Sequence, residues 1–269
     1  MTYLTTDDGV RLRYRDHGEG PGTVLLVHGW KGSHRLWDST SVALTQEGLR
    51  VVSYDLRGMG ESDKPGSGYD FDHAPDDLRD VIAALDLHDV TLVGWSMGGT
   101  ISLRHLQRHG ERIGGLVLLN APLRLIQAPD FPHAMPAEQL DGYVEDLVTR
   151  WPVSEHEFQR DTLLEPHPAL LDLLYGVALQ TPLDVALAYV RAQAPLDMRD
   201  AVRAAAVPVM AAYSEGDPYY PTTLADWIAA SAPDGRRLPL TGSGHATPLE
   251  EPRTLAAGIA DFHRGRQKR

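Results

Sequence analysis

An α/β fold, built on a mostly parallel eight-stranded sheet covered by helices on both faces, is what this 269-residue sequence predicts. Three observations carry that reading. Short apolar runs alternate with stretches of helical period, and strands that alternate with helices pair in parallel. A parallel sheet is buried on both faces, and the apolar content of the chain is sufficient for that. The alternation stops once, between about Leu123 and Ala206, for a Pro-punctuated stretch of helical pattern alone.

In chain order, Tyr3 to Thr6 and Val10 to Asp16 alternate around Asp8-Gly9, a hairpin signal. Further strands are expected at 22–28, 50–54, 90–94, 114–119, 207–213 and 236–240, and helices near 36–47, 72–86, 97–109, 221–231 and 252–263. The interrupting stretch predicts helices at 137–150, 154–164, 168–179 and 182–193. It reads as a helical cap, residues 123–206, inserted after the sixth strand into a core of residues 1–122 and 207–269. Functional groups of such a sheet collect at the carboxyl ends of its strands.

Gly94-Trp95-Ser96-Met97-Gly98 stands at one of those ends, after the apolar run Val90 to Val93 and before a helix. Gly-x-Ser-x-Gly in that context is a nucleophile elbow, a turn so tight that the serine hydroxyl is pushed out of the sheet. The glycines leave room where a Cβ would collide, and the helix N-terminus points N–H groups at any oxyanion formed there. The pattern alone also fits an ordinary strand-to-helix turn. Three further features in the right order narrow the reading.

Val24 to Val27 leads into His28-Gly29-Trp30, where a loop opens. The N–H groups of Met97 and Trp30 are the expected oxyanion donors. His28 sits before the serine at the strand end and is expected to shape the loop through hydrogen bonds. After the strand at 207–213 come Glu215 and Asp217. A triad needs one carboxylate to hold the imidazole tautomer; Asp217 is chosen, with Glu215 in reserve. Last, His245 lies on the Gly-rich loop Thr241 to Ala246. With twelve histidines in the chain a lone one means little, but the order Ser96, Asp217, His245 singles this one out as general base and acid.

These residues resemble those of the α/β-hydrolase superfamily, over nearly the whole chain. Asp55-Leu56-Arg57-Gly58-Met59-Gly60-Glu61-Ser62 is similar to its D-x-R-G-x-G-x-S segment, and Glu250-Glu251-Pro252 suits its closing helix. Tyr54 to Gly99 most resembles the cofactor-free bacterial haloperoxidase and esterase group. That group carries proline after the aromatic oxyanion residue. Here the position is Lys31, a departure that bears on haloperoxidase or perhydrolase activity and leaves ester hydrolysis untouched. In this superfamily such caps set substrate choice.

The resemblance implies cleavage of an ester, thioester or lactone through an acyl-enzyme on Ser96. Carbon–carbon bond hydrolysis and enol-lactonase chemistry use the same triad, and a ligand sensor on this fold is the rival from another class. Trp30 and Trp95 are expected to flank the nucleophile in an apolar pocket, with Leu123, Leu125 and Trp151 supplied by the cap. For Trp151, core packing is the competing reading. Lys31 is expected to be solvated, contact with an anionic substrate group being the other reading.

A formal charge of −12 makes nucleic acid and anionic membranes poor partners. The basic cluster Arg264, Arg266, Lys268 and Arg269 reads as a frayed, solvated end. Without cysteine the chain has no disulfide, thiol nucleophile or thiolate metal site. The start of the sequence shows no signal-peptide pattern, and no apolar run reaches the ~18 residues of a membrane span, so a cytoplasmic location is expected. His156-Glu157-Phe158-Gln159-Arg160 begins like a zinc-binding helix motif, but Arg160 occupies the second histidine position. No dinucleotide fingerprint is present. The expected ligand is a small-molecule substrate, with no metal and no cofactor.

Overall fold

A computed structural model describes residues 2–267. The chain opens with a hairpin of β1 (Thr2–Thr5) and β2 (Arg11–His17), then runs β3 (Gly22–Val27), α1 (Asp38–Gln46), β4 (Leu49–Tyr54), α2 (His73–Ala84), β5 (Val90–Trp95), α3 (Met97–His109) and β6 (Ile113–Leu119). Four helices follow without a strand: α4 (Ala137–Arg150), α5 (Val153–Asp161), α6 (Pro168–Ala178) and α7 (Leu183–Gln193). The short α8 (Arg199–Arg203) leads to β7 (Val209–Ser214), α9 (Thr222–Ser231), β8 (Gly235–Leu240), α10 (Thr247–Glu250) and α11 (Pro252–Arg266).

Among the described residues, eight strands form one sheet in the order β1-β2-β4-β3-β5-β6-β7-β8. The pairs from β4 to β8 are parallel and the hairpin end is antiparallel. The central strands read as unbroken apolar runs because neighbouring residues serve opposite faces. Leu25, Val27, Val52, Leu92 and Leu116 enter one core with Leu78 of α2 and Ile101 of α3. Val24, Leu26, Val51, Val93 and Val117 enter the other with Leu44 of α1 and Leu255 and Ile259 of α11. Burying each strand on both sides fixes its register, since a one-residue slip would exchange the two faces.

The helix α4 coincides with the predicted span, and the other main elements agree within a few residues. Two short helices, α8 and α10, were not anticipated. The helical stretch leaves and rejoins the core at one place, where the Met198 N–H donates to the Leu123 carbonyl at 2.8 Å. Among the described residues no single helix is long and apolar enough to cross a membrane; α6 and α7 pass that test only as a pair bent by 89°.

The basic end is not frayed as far as it is described. Arg266 keeps only 5% of its side chain exposed and is paired with Asp89, while Arg264 pairs with Glu47 and Asp261. These contacts fasten the end of α11 to the start of β5 and to α1. Lys268 and Arg269 lie outside the described residues.

One buried histidine makes the fold sensitive to acid. His105 of α3 lies against the start of α2, with Nδ1 bonded to the Pro75 carbonyl at 3.0 Å. Burial pushes its pKa down to about 4. Below the ordinary imidazole value the unfolded chain takes up a proton that the folded chain refuses, so stability falls as pH drops from about 6.5 toward 4. Urea unfolding should therefore show a loss of about 2 kcal/mol from this group between pH 7 and pH 5. The variant His105→Asn can keep the bond to Pro75 without the titration, and it should flatten the decline. An equal slope in both proteins would assign the acid lability elsewhere.

Candidate active site

Ser96 joins β5 to α3 with φ 54 and ψ −123, a conformation that side chains rarely adopt. Its own N–H is fixed by the Leu119 carbonyl of β6 at 2.9 Å. The turn is possible only because two neighbours are glycine. A Cβ on Gly94 would stand 2.5 Å from the Gly98 carbonyl oxygen, and one on Gly98 would stand 2.4 Å from that of Val27. The hydroxyl thus projects from the carboxyl edge of the sheet, above the N-terminus of a thirteen-residue helix.

His245 and Asp217 meet at the same edge. Imidazole Nδ1 donates to Asp217 Oδ2 at 2.8 Å, and the Asp217 side chain is fully buried. The other carboxylate oxygen accepts the N–H groups of Tyr219 at 2.8 Å and Tyr220 at 3.2 Å. Asp217 is thereby aimed from both sides, and the proton held on Nδ1 leaves Nε2 as the basic nitrogen. Glu215, the reserve, lies exposed on the same loop. The rings of Tyr219 and Trp95 pack against the imidazole at centroid distances of 5.1 and 5.9 Å.

The loop that carries His245 is held by side chains that sequence reasoning missed. Asn120, at positive φ just past β6, donates to Thr247 Oγ1 at 3.0 Å and to the His245 carbonyl at 3.3 Å. Its Oδ1 accepts the Ser214 N–H at 2.9 Å, so one amide joins the ends of β6 and β7 to the histidine loop. Glu250 accepts the N–H groups of Gly244 and Leu164, both at 2.8 Å, and so ties that loop to the helical insertion. The one available signal was an asparagine, tolerant of positive φ, directly after an apolar strand.

His28 shapes the loop that follows β3, as expected. It is fully buried; Nδ1 donates to the Gly29 carbonyl at 2.8 Å and Nε2 accepts the Leu56 N–H at 3.0 Å. Burial pushes its pKa down, which keeps the ring neutral. Asp55 braces the next turn by accepting the N–H and Nδ1 of His34 at 2.6 and 2.7 Å. Burial opposes its charge, but the bonds from His34 outweigh that and hold its pKa below the ordinary carboxylate value.

Ser96, Met97, Trp30, Trp95 and His245 line one cavity of about 880 Å³, counting its open mouth. Leu125 joins them, with Leu140, Tyr143 and Phe158 from the helical insertion. Two expected members do not. Leu123 is sunk in the main core, its carbonyl taken by Met198. Trp151 stands half-buried at the junction of α4 and α5, outside the cavity lining.

Lys31 is not solvated. It reaches inward from a residue at φ 57 and ends in a fully buried ion pair with Glu155 of α5. Its ammonium lies 3.8 Å from the centroid of the Trp30 ring and 4.3 Å from that of Phe158, both within cation–π range. Burial pushes the Lys31 pKa down and the Glu155 charge opposes that shift. With its charge neutralised by Glu155, the ammonium is committed to the protein. It fastens the Trp30 loop to the helical insertion.

A serine elbow and an Asp–His pair at the carboxyl edge of a mostly parallel sheet mark the chain as a hydrolase of this architecture. Residues 22–252 match the family described as the α/β hydrolase fold, and the chain belongs to that family. A non-heme haloperoxidase of Rhodococcus erythropolis is 40% identical over 151 residues, which span 55% of this chain and 55% of that one. A bifunctional esterase/perhydrolase of Acinetobacter calcoaceticus is 27% identical over 98% of this chain and 100% of its own length. An esterase from Exiguobacterium antarcticum superposes with a TM-score of 0.92 at 26% identity, covering 98% of this chain and 99% of that one.

The buried pair predicts an asymmetric response to mutation. Lys31→Met strands a carboxylate in an apolar setting and should cost about 3–5 kcal/mol. Combining it with Glu155→Leu should restore most of that, because a buried ion pair barely outweighs its own desolvation. Urea unfolding of both variants checks it. A single variant that loses under about 1 kcal/mol would behave like an exposed pair, and the loop would then not be anchored this way.

Proposed function

We propose that this protein is a serine hydrolase that cleaves an ester, thioester or lactone of a small to medium, largely apolar molecule through an acyl-enzyme. The observation that carries the reading is the 2.8 Å Asp217–His245 bond beside the strained Ser96 in one apolar cavity. His245 Nε2 takes the proton of Ser96 Oγ as that oxygen attacks the substrate carbonyl carbon. The carbonyl π electrons move to oxygen, and the N–H groups of Trp30 and Met97 receive the resulting oxyanion. His245 returns the proton to the leaving oxygen or sulfur as the bond to it breaks. Water, deprotonated by His245, then attacks the acyl carbon; the acid leaves and Ser96 regains its proton.

Ester cleavage is further supported by the relatives named as esterases, whose lengths this chain covers almost fully. In this reading residues 123–206 form the cap and choose the substrate, because triad and oxyanion donors see only the carbonyl centre. No cofactor enters any step. A cytoplasmic site of action belongs to the same reading, and the lack of cysteine is compatible with that reducing compartment.

Two experiments test the assignment. Ser96→Ala should leave the fold intact and lower kcat by about 10⁴ to 10⁶, and a phosphonate inhibitor should label Ser96 alone. Labelling of another residue, or full activity in the alanine variant, overturns the nucleophile. Asp217→Asn should lower kcat by about 10⁴ by favouring the wrong imidazole tautomer, whereas Glu215→Gln should cost less than about tenfold. The reverse ranking would make Glu215 the partner of His245.

A further inference from the structure

Two nearly buried glutamines line the cavity that holds Ser96. Gln159 of α5 is 5% exposed and Gln193, the last residue of α7, is 6% exposed. The orientation of each amide is settled by its partner. Gln159 Nε2 donates at 2.7 Å to Glu155 Oε1, an oxygen of a carboxylate that can only accept and whose other oxygen holds Lys31. Gln193 Nε2 donates at 2.8 Å to Thr100 Oγ1, and the Thr100 hydroxyl in turn gives its proton to the Pro122 carbonyl at 3.2 Å. Flipping the Gln159 amide would set its oxygen against the carboxylate, and flipping that of Gln193 would take the Thr100 proton away from the Pro122 carbonyl. Each glutamine therefore presents Oε1, a pure acceptor, on its free side.

Among the described residues neither Oε1 accepts a hydrogen bond, and neither is one of the sealed polar atoms of the interior. The surrounding wall is mostly apolar, with Leu125, Leu140 and Phe158 facing the same space beside the hydroxyl-bearing Tyr143, Thr162 and Tyr219. An acceptor in such a wall that has no protein donor can take a donor carried by the bound molecule, and it loses hydrogen-bonding free energy if an apolar group covers it instead. We propose that the substrate carries at least one hydrogen-bond donor, a hydroxyl or amide N–H on its acyl or alcohol part, which Gln159 Oε1 or Gln193 Oε1 accepts. This deepens the ester-hydrolase reading and rests on it. It also replaces a plain hydrocarbon chain by a polar-substituted one. A site built to bond a substrate hydroxyl rejects the analogue without it far better than an apolar pocket senses a missing methylene.

The test uses esters on the butyl hexanoate skeleton, plain or with one hydroxyl at each successive carbon of either chain, with acid release followed by titration. In the wild type at least one hydroxylated ester should exceed the plain one in kcat/KM by about 10- to 100-fold. Gln159→Met or Gln193→Met should erase that preference, so that the hydroxylated and the plain ester have kcat/KM values within about threefold of each other in the same variant. Equal rates for the plain and every hydroxylated ester, or a preference that survives both methionine variants, would overturn the inference. Ketones of the same skeletons, which cannot be hydrolysed, provide a second readout by calorimetry. If no ester is cleaved, the hydrolase reading fails by itself. A hydroxyl-dependent gain in ketone affinity, lost in the methionine variants, would then still support the glutamine contact, and no such gain would refute it.

Discussion

A single backbone conformation sets the terms for this molecule. Ser96 sits at φ 54, and a side chain in such a region costs about 1–3 kcal/mol. The strain persists because its surroundings leave no alternative. Every residue of β5 is buried, the Ser96 N–H is taken by Leu119, and α3 begins at the next residue. Relaxing the serine would require β5 to slide in the sheet or α3 to lift from it. Either move would expose residues that serve both cores. The strain is thus covered by the burial of the whole centre of the sheet, which is far larger.

Around that fixed point the site is assembled from loops, and loops need other means of support. Here polar side chains supply them. Asn120 spans the ends of two strands and the His245 loop. His28 and Asp55 hold the loop after β3. Glu250 joins the histidine loop to the helical insertion. Each is a buried or half-buried group whose bonds go to backbone N–H and carbonyl groups and, for Asn120 and Asp55, also to the side chains of Thr247 and His34. Removing one member would leave its partners unsatisfied, which explains how irregular segments keep positions as defined as those of the strands.

Much of this was legible in the sequence, for identifiable reasons. Strands buried on both faces write themselves as apolar runs, and α4 writes itself as an amphipathic period bounded by prolines, so both were found with close boundaries. Ser96, Asp217 and His245 were chosen by their order and by their places at strand ends, features that are local to the chain. What escaped was set by distant partners. Lys31 looked like a surface cation because its counter-charge, Glu155, lies 124 residues away. Leu123 and Trp151 were placed in the pocket on apolar character alone, which cannot tell a cavity wall from the core. Asn120 has no local signature beyond its residue type. The five-residue α8 is too short to carry a helical period, and it takes its shape from packing against α3 and α9.

The buried network around Glu155 links properties usually discussed apart. One of its oxygens holds Lys31, the residue after Trp30, whose N–H is a proposed oxyanion donor; the other orients Gln159, a proposed substrate contact. The Trp30 ring also donates to the Ala186 carbonyl of α7 at 2.9 Å, so two helices of the insertion grip the same loop. Glu155 and Gln159 both belong to α5, so a shift of that helix would draw the carboxylate from the ammonium and carry the Gln159 amide with it. The helical insertion is then more than a cover. The loop that carries the proposed oxyanion donor and the wall that meets the substrate share one carboxylate.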